Sequence, residues 1–387
     1  MKGKKKKKPV LLLFTLLFIT AGIIASGGFY YIYRSGSETA NPLFEEQFRT
    51  TSRLSVLISS IDNALYEVFY KEGIKEINVV FSEVVPRHKD DADWDFTSMS
   101  VILPDPDSAG KLKKNIKERI SRISSDISVI SKTDSEIGII FNIHVLDHHT
   151  HKIILGHKGQ KAVKAKAVPE VAIIIDDIGY DYSLALDFMD LDIPVSLSVL
   201  PDSPYADRVA SKAGEKGVEL LLHLPMEPKG YPDIDPGPDA LLVSMDRETI
   251  HKTVKDAINK VKGIKGVNHH MGSLFSENYE KMKHVLDEIK RYDLFYVDSR
   301  TTNRTVAFKL SKALGIPAAK KDLFIDNDLS EKALSYQMER LLGIARFKGK
   351  AIGIGHPHKE TCEILRTYSR VLNENFKVVN VSELVEK

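Results

Sequence analysis

The sequence predicts an α/β protein whose main domain is built on a parallel sheet. From residue 170 onward, short apolar segments alternate with amphipathic segments six or more times, which is typical of parallel strands connected by helices. The first apolar segment, 171–180 (VAIIIDDIGY), contains three consecutive isoleucines and is typical of a strand buried on both faces. Polar residues recur where these apolar segments end, which indicates a ligand site at one edge of the sheet.

The elements of this domain follow from two periodicities. Strands are short apolar runs, and helices carry apolar residues three or four positions apart, as Ile250, Val254 and Ile258 do. The predicted strands are 171–175, 194–200, 218–223, 266–270, 294–298, 316–319, 351–355 and 377–381. The predicted helices are 182–189, 205–215, 247–261, 277–289, 307–314, 334–345 and 359–372. Such a sheet is either open or closed into a barrel.

Residues 45–157 are predicted to form a small α+β domain, followed by a Lys- and Ala-rich linker at 158–169. The main domain then occupies 170–385. In the small domain the predicted helices are 48–71 and 112–123, and the predicted strands are 76–85, 99–103, 126–131, 137–145 and 152–155. Its histidines cluster around an expected hairpin tip at 147–151, where solvated polar residues are ordinary. We therefore expect a structural role for His144, His148, His149, His151 and His157.

The N-terminus predicts a single membrane anchor. A basic tail, 1–9, contains the lysines at 2 and 4–8, and the following segment, 10–33, carries no charge and ends in three tyrosines. About 20 apolar residues suffice to cross the hydrocarbon core, and lysines favour the cytoplasmic side. We expect a single-pass membrane protein whose C-terminal bulk lies outside the cytoplasm, in the cell envelope or periplasm. A signal peptide cleaved near Ala25 is the alternative.

Composition excludes several classes of protein. The formal net charge is +2 and the basic cluster at the N-terminus lacks interleaved aromatic residues, so no nucleic-acid partner is expected. The single cysteine, Cys362, excludes an intrachain disulfide and a multi-cysteine zinc site.

Candidate site residues share a position at the carboxyl ends of the predicted strands. In sequence order they are Asp176 and Asp177, His223 and Glu227, His269, His270 and Ser273, Asp298 and Arg300, and His356 and His358. An isolated Asp-Asp pair would be ascribed to a helix cap or a turn. Scattered core histidines, however, would not all fall at one edge of a sheet. Carboxylate plus imidazole is the ligand set of a hydrolytic zinc or related divalent site with an open water position.

Five motifs together resemble the divergent branch of the polysaccharide deacetylase superfamily. These are VAIIIDDIGYD, LLLHLPMEP, GVNHHMGS, DSRTT and IGIGHPH, which occur in this order between residue 170 and residue 385. The resemblance implies a distorted (β/α) barrel and a metal-dependent carbohydrate de-N-acetylase. The anchor and the small domain lie outside it.

The resemblance also implies roles for individual residues. Asp176 resembles the catalytic base and Asp177 the metal ligand of the family's Asp-Asp motif. His223 resembles the first histidine of a His-x-x-x-His ligand motif, whose second position is Glu227 here. His270, from the His-x-Gly-Ser motif, is the expected third ligand, with Glu227 as a substitute.

The late histidine, His356, resembles the general acid, with Asp298 as its expected orienting partner. The arginine–proline–tyrosine segment of ordinary deacetylases has no counterpart. Other polar residues at the same edge are expected to contact substrate. They are Glu227, Asn268, Ser273, Arg300 and His358, with Asn268 as a donor to the oxyanion.

The expected function is therefore that of a membrane-anchored deacetylase that acts on N-acetyl groups of peptidoglycan or another envelope glycan. It would use a divalent metal, and Zn²⁺ is the first choice. Residues 45–157 could recruit an envelope protein partner. The alternative is a catalytically weak or inactive envelope factor that binds glycan or protein through the same barrel. A glycoside hydrolase using Asp176 and Glu227 is a third hypothesis, which would leave the histidines without a purpose.

Overall fold

The computed structural model describes residues 52–74, 78–90, 92–103, 108–156 and 168–387. The predicted basic tail and membrane anchor, and most of the predicted linker, lie outside these ranges. Within them, none of the helices combines the length and the apolar character that crossing a membrane requires.

The first sheet has five strands with the order β1-β2-β5-β4-β3. All neighbours are antiparallel except the parallel pair β2 and β5. Its elements are α1 (Arg53–Lys71), β1 (Val79–Lys89), β2 (Ala92–Ile102), α2 (Ser108–Ser121), β3 (Ile127–Asp134), β4 (Gly138–Val145) and β5 (His148–Gly156). Apolar stripes of the two helices, which include Ile61, Leu65 and Ile116, belong to the same buried core as Phe141 and Ile153 of the sheet.

The predicted hairpin tip at 147–151 is wrong. Only Leu146 and Asp147 form the connection between β4 and β5, and their φ angles are +47° and +62°. Two positive φ values at a two-residue connection match the twist of antiparallel strands, which favours such a tight turn. The histidines at 148–151 are therefore strand residues of β5.

The second sheet is parallel throughout, with the order β11-β10-β9-β8-β7-β6-β13-β12, and β14 joins it beside β6. Its strands are β6 (Glu170–Ile178), β7 (Ser196–Val199), β8 (Glu219–Met226), β9 (Gly266–Met271), β10 (Phe295–Asp298), β11 (Ala318–Lys320), β12 (Leu323–Phe324), β13 (Lys350–Gly355) and β14 (Lys377–Val378). Its helices are α3 (Tyr182–Met189), α4 (Ala206–Lys216), α5 (Arg247–Lys260), α6 (Tyr279–Arg291), α7 (Ala307–Ala313), α8 (Glu331–Lys348) and α9 (Lys359–Asn375).

The parallel sheet curls into a half-closed barrel. Its two terminal strands, β11 and β12, are not paired with each other, although only Lys321 and Asp322 separate them in the chain. Because all strands run in the same direction, their carboxyl ends meet at one edge, as the sequence predicts. The short strand β12 was not predicted, since two residues give no periodicity.

The two sheets belong to one compact unit, and a buried polar network joins them. Asp62 of α1 accepts a hydrogen bond of 2.6 Å from the Tyr336 hydroxyl of α8, and His151 Nε2 of β5 lies 3.1 Å from the same oxygen of Asp62. Arg340 of α8 donates to the Thr97 hydroxyl of β2 at 3.0 Å. Buried polar groups are costly when unpaired, so this network fixes how α8 lies against the first sheet.

Tyr336→Phe is expected to destabilise the protein by about 1–3 kcal/mol, because the buried Asp62 carboxylate loses a donor. Urea unfolding measures the change. Tyr279→Phe is the matched control, since Tyr279 is 53% exposed. Equal free energies of unfolding for the two variants would contradict a stabilising role for the Asp62 network.

Candidate metal centre

The site begins at an irregularity in β6. The sequence predicts that this strand ends before Asp176. In the structure it continues to Ile178, and its pairing with β7 shifts between Ile175 and Ile178. Asp177 has a φ of +54°, in the left-handed region that residues other than glycine rarely adopt. Adjacent side chains on a regular strand point to opposite faces. The bulge instead brings the carboxylates of both Asp176 and Asp177 beside His223.

A glycine is required just after the bulge. Gly179 has a φ of +127°, and a Cβ atom there would lie 1.8 Å from the hydroxyl oxygen of Ser203. The close approach holds the loop that follows β6 against the segment after β7.

Three buried residues present ligand atoms to one point at the carboxyl ends of β6, β8 and β9. Asp177 Oδ1 lies 3.0 Å from His223 Nε2 and 2.8 Å from His270 Nδ1. The three side chains form the group that could hold a metal ion among the described residues, with all ligand atoms within 4.8 Å of one another. The structure thus brings together Asp177, His223 and His270, the three predicted ligands.

The donor atoms are arranged for a cation rather than for each other. Although the two imidazole nitrogens approach Asp177 closely, neither carboxylate oxygen has a hydrogen bond with correct geometry to a described residue. Buried polar atoms are nearly always paired, so two unpaired oxygens in one buried carboxylate require an explanation. One carboxylate and two imidazoles that converge fit a divalent metal with an open coordination position.

His223 is oriented by Asn268, one strand away. The His223 Nδ1 atom lies 2.8 Å from Asn268 Oδ1, while Asn268 Nδ2 donates to Asp176 Oδ1 at 2.7 Å. Ser198 donates to the same Asn268 oxygen at 2.5 Å. A hydrogen bond to the far nitrogen of a ligating imidazole fixes its tautomer and its ring orientation. Asn268 therefore leaves Nε2 of His223 free to face Asp177.

The negative charge of the two buried aspartates is offset by the imidazoles beside them. Burial alone would raise the pKa of Asp177, but the nearby imidazoles of His270 and His223 hold it well below its usual value. For Asp176, the effect of burial exceeds that of the nearby histidine charges, and the net shift of the pKa is upward. Burial lowers the pKa of His223, but the charges of Asp176 and Asp177 outweigh it and the net shift is upward. The two adjacent carboxylates therefore differ in basicity, which suits different tasks.

His356, the late histidine, is held by Asp326, which was not among the site residues predicted from the sequence. His356 Nδ1 lies 2.9 Å from Asp326 Oδ1, and the His356 amide donates to Asp326 Oδ2 at 2.6 Å. Thr361 donates to the same Asp326 oxygen at 2.7 Å. Burial opposes the protonated form of His356, but Asp326 raises its pKa to about 9. Asp326 follows the short strand β12, and the apolar run before it (LFI) is the signal that could have revealed it.

Asp298 is not the partner of His356, and that prediction is wrong. The Asp298 carboxylate accepts hydrogen bonds from the Arg300 amide at 2.9 Å and from Thr305 and the Phe308 amide at 3.1 Å. These bonds shape the loop between β10 and α7. An aspartate at a strand end that is followed by hydroxyl residues can satisfy its own loop, which sequence alone does not distinguish from a catalytic role.

Three other predicted substrate contacts make hydrogen bonds within the protein. Asn268 is fully buried and donates to Asp176 Oδ1. The Glu227 carboxylate accepts from the Val243 amide at 2.6 Å, and Ser273 accepts from the Lys229 amide at 3.0 Å. Glu227 is thus not part of the ligand cluster, and both side chains brace the loop after β8.

The remaining predicted contacts lie at the same edge. Arg300 is half-buried and donates to the Lys321 carbonyl at 3.2 Å. His358 precedes α9, and its amide donates to the His356 carbonyl at 2.8 Å. His269 points away from the cluster, since its Nδ1 lies 2.7 Å from the Tyr296 hydroxyl.

A cleft of about 300 Å³ is lined by His270, one of the three candidate ligands. Met271, Tyr180 and Pro201 also line it, and the loop after β8 contributes Asp233 and its neighbours. A cleft of this size accommodates a small organic group next to His270.

Asn268→Ala is expected to weaken metal binding by about 10–100-fold, because His223 loses the partner that orients it. Calorimetric titration with Zn²⁺ alone measures the affinity. Asn278→Ala, at the N-cap of α6, is the control for an amide lost elsewhere in the domain. Unchanged zinc affinity in a folded Asn268→Ala protein would show that the amide does not orient the ligand.

Comparison with known proteins identifies the family of this chain. The family described as divergent polysaccharide deacetylase matches residues 173–385. An uncharacterized protein of Escherichia coli, YibQ, is 33% identical over 218 residues, which are 56% of this chain and 68% of YibQ. An uncharacterized protein of Haemophilus influenzae is 30% identical over 218 residues, 56% of this chain and 77% of its own.

A solved structure shares the fold of the parallel domain. The crystal structure of an uncharacterized protein from Agrobacterium tumefaciens is 26% identical, with a TM-score of 0.55, and the match covers 57% of this chain and 91% of that chain. Together with the family match over residues 173–385, these similarities confirm the resemblance noted from the motifs. The chain belongs to the divergent polysaccharide deacetylase family.

Proposed function

We propose that the protein is a membrane-anchored, metal-dependent hydrolase that removes N-acetyl groups from peptidoglycan or another envelope glycan. The observation that carries this proposal is the convergence of Asp177, His223 and His270 beside an open cleft, in a chain of this family. The anchor rests on the uncharged segment 10–33 and the lysines before it.

The metal would be held by the two imidazoles and the Asp177 carboxylate. A divalent cation bound there, with Zn²⁺ the first choice, supplies Lewis acidity and makes a water molecule acidic enough to react near neutral pH. His223 and Asp177 are fixed before binding, His223 by Asn268 and Asp177 by the bulge in β6. Such preorganisation lowers the cost of assembling the site.

Asp176 is proposed to act as the general base. Its burial raises its pKa, which makes it a better proton acceptor than an ordinary aspartate while it is ionised. Asn268 donates to one of its oxygens at 2.7 Å, which fixes the direction of the carboxylate. Asp176 would accept the proton of the water that attacks the acetyl carbonyl.

His356 is proposed to act as the general acid. Its bond to Asp326 keeps the imidazolium protonated and fixes the ring, and its charge acts on both Asp176 and Asp177. A protonated imidazole can give its proton to the departing nitrogen, so that the sugar leaves with a free amino group.

A second candidate function is favoured by the position of Glu227. Glu227 occupies the family's second ligand position. Its carboxylate accepts a hydrogen bond from the Val243 amide and does not join Asp177, His223 and His270. A barrel that binds glycan with little or no hydrolysis would be compatible with that change. Glycan binding without acetate release, in a protein that carries metal, would decide for this second candidate.

Asp177→Asn is expected to abolish both metal uptake and acetate release, because the amide removes the only anionic ligand of the cluster. Metal content and acetate released from acetylated chitooligosaccharide or peptidoglycan measure the two effects. Asp187→Asn on α3 is the matched control, since Asp187 is largely exposed and lies 3.8 Å from Arg366 at the surface. Full activity in Asp177→Asn would refute the assignment of the ligand.

The pH profile tests the role of His356. If the protonated form is the acid, the rate should fall as pH rises through about 9. Asp326→Asn removes the charge that raises this pKa, so the alkaline limb should move to lower pH. Asp328→Asn, at an exposed position two residues away, should leave the limb in place. An identical alkaline limb in wild type and Asp326→Asn would rule out His356 as the group that titrates there.

A further inference from the structure

The first sheet has a second face that does not belong to the core. Phe141 and Ile143 of β4 point into the core shared with α1 and α2. Successive strand residues alternate between faces, so Ile140 and Asn142 point to the other side. Ile140 is 5% exposed and Phe96 of β2 is 3% exposed, yet neither belongs to that core. They form the floor of a groove on the opposite face of the sheet.

This groove has a volume of about 390 Å³ and crosses the whole sheet. All five strands contribute to it. Its lining comprises Glu83 and Arg87 of β1, Phe96 of β2, His149 and Lys152 of β5, Ile140 and Asn142 of β4, and Lys132 of β3. We call it the sheet groove.

The charge of the sheet groove is positive and uncompensated. Three cations, Arg87, Lys132 and Lys152, face one carboxylate, Glu83. Within the part of the chain that the structure describes, none of the three cations has an ion pair, although Glu83 lines the same groove. Like charges gathered without a partner repel one another, and an anionic ligand removes that cost.

The floor of the groove offers aromatic and polar contacts. The Arg87 guanidinium lies 3.6 Å from the centroid of the Phe96 ring, and His149 packs against Phe96 with ring centroids 4.8 Å apart. His149 Nε2 is buried and has no hydrogen-bond partner among the described residues. The Arg87 guanidinium thus covers the Phe96 ring, and the unpaired ring nitrogen of His149 can bond a hydroxyl group.

The spacing of the cations points to a polymer. Arg87, Lys152 and Lys132 lie on β1, β5 and β3, the first, third and fifth strands of the sheet. Neighbouring cations are therefore separated by two strand spacings, roughly 9–10 Å across the sheet, and Arg87 and Lys152 also differ by four residues in register along the strands. A compact anion with one charge could not contact all three. A linear chain with a negative charge at each disaccharide could.

A peptide is a poorer match than a glycan. Peptides that bind sheets usually add a strand at an open edge through main-chain hydrogen bonds. The sheet groove instead lies on the face of the sheet, so it would contact a ligand through side chains and not through the main chain at the outer edges of β1 and β3.

The groove is linked to the metal centre through one loop. Asn303, in the loop after β10, donates to the Arg87 carbonyl at 3.1 Å. Thr301, in the same loop, donates at 2.7 Å to the carbonyl of Met271, which follows the ligand His270 and lines the metal cleft.

We propose that the sheet groove binds a glycan strand that carries carboxylates at regular intervals. We further propose that it holds the polymer whose N-acetyl groups enter the metal cleft, a second step that rests on the proposed function. The substrate would then be an anionic, N-acetylated glycan rather than a neutral one.

The test measures binding of the full-length chain in detergent to three probes. Hyaluronan oligosaccharides carry alternating carboxylates and N-acetyl groups, chitooligosaccharides are neutral, and poly-L-glutamate is an acidic peptide. The groove variant is Arg87→Gln/Lys132→Gln/Lys152→Gln. The matched control, Lys113→Gln/Lys117→Gln/Arg122→Gln, removes the same charge on and just beyond α2, which covers the other face of the sheet.

We expect hyaluronan to bind more tightly than the neutral probe and the groove variant to lose at least about tenfold in affinity, with a weaker salt dependence. The control variant should bind like wild type, and thermal unfolding should show that both variants are folded. Equal hyaluronan affinity in wild type and groove variant would overturn the proposal. So would poly-L-glutamate binding as tightly as hyaluronan at the same residues, because that result indicates an acidic protein partner.

The two proposals fail in different ways. Asp177→Asn should keep its affinity for hyaluronan, since the groove does not use the metal ligands. If Asp177→Asn loses that affinity, the strand was held at the metal cleft and the groove proposal is wrong. If hyaluronan binds in the groove but no acetate is released from any N-acetylated glycan, the proposed hydrolase fails and the groove inference stands.

Discussion

The metal centre depends on one distortion of the backbone, the bulge that places Asp176 and Asp177 on the same side of β6. A regular strand would send one of these carboxylates into the helical layer, where no imidazole could reach it. With the bulge, Asp177 faces His223 and His270, while Asp176 lies behind His223 and is bonded to Asn268. Asn268 connects Asp176, the proposed base, with His223, a proposed metal ligand.

The rest of the fold supports this edge of the sheet. Parallel strands deliver His223, His270 and Asp326 to the same end of the barrel from distant parts of the chain, and Asp326 holds His356 there. The buried Asp62 network docks the first sheet against α8, and Arg87 of the groove contacts the loop whose Thr301 bonds Met271 of the metal cleft. The two sheets would then present one surface to the long substrate that we propose.

Much of this could be predicted from sequence. Alternating strands and helices identified the parallel sheet, and polar residues at the strand ends identified the edge that carries the site. The resemblance to the family then singled out Asp177, His223 and His270 as metal ligands. It was harder to predict which side chains bond to one another. Asp298 and Asp326 both follow apolar strands, and only the fold shows that Asp298 bonds its own loop while Asp326 bonds His356. The hairpin histidines were misplaced because a two-residue turn at Leu146 and Asp147 has no glycine or asparagine to mark it.

X-ray absorption spectroscopy of the zinc-loaded, full-length protein tests the central claim most directly, because it reports the atoms that surround the ion. We predict two imidazole ligands and one carboxylate, with the remaining coordination supplied by water, at zinc–nitrogen distances of about 2.0–2.1 Å. A spectrum without imidazole scattering, or zinc that is lost on simple dialysis, would contradict the claim that Asp177, His223 and His270 form a metal site.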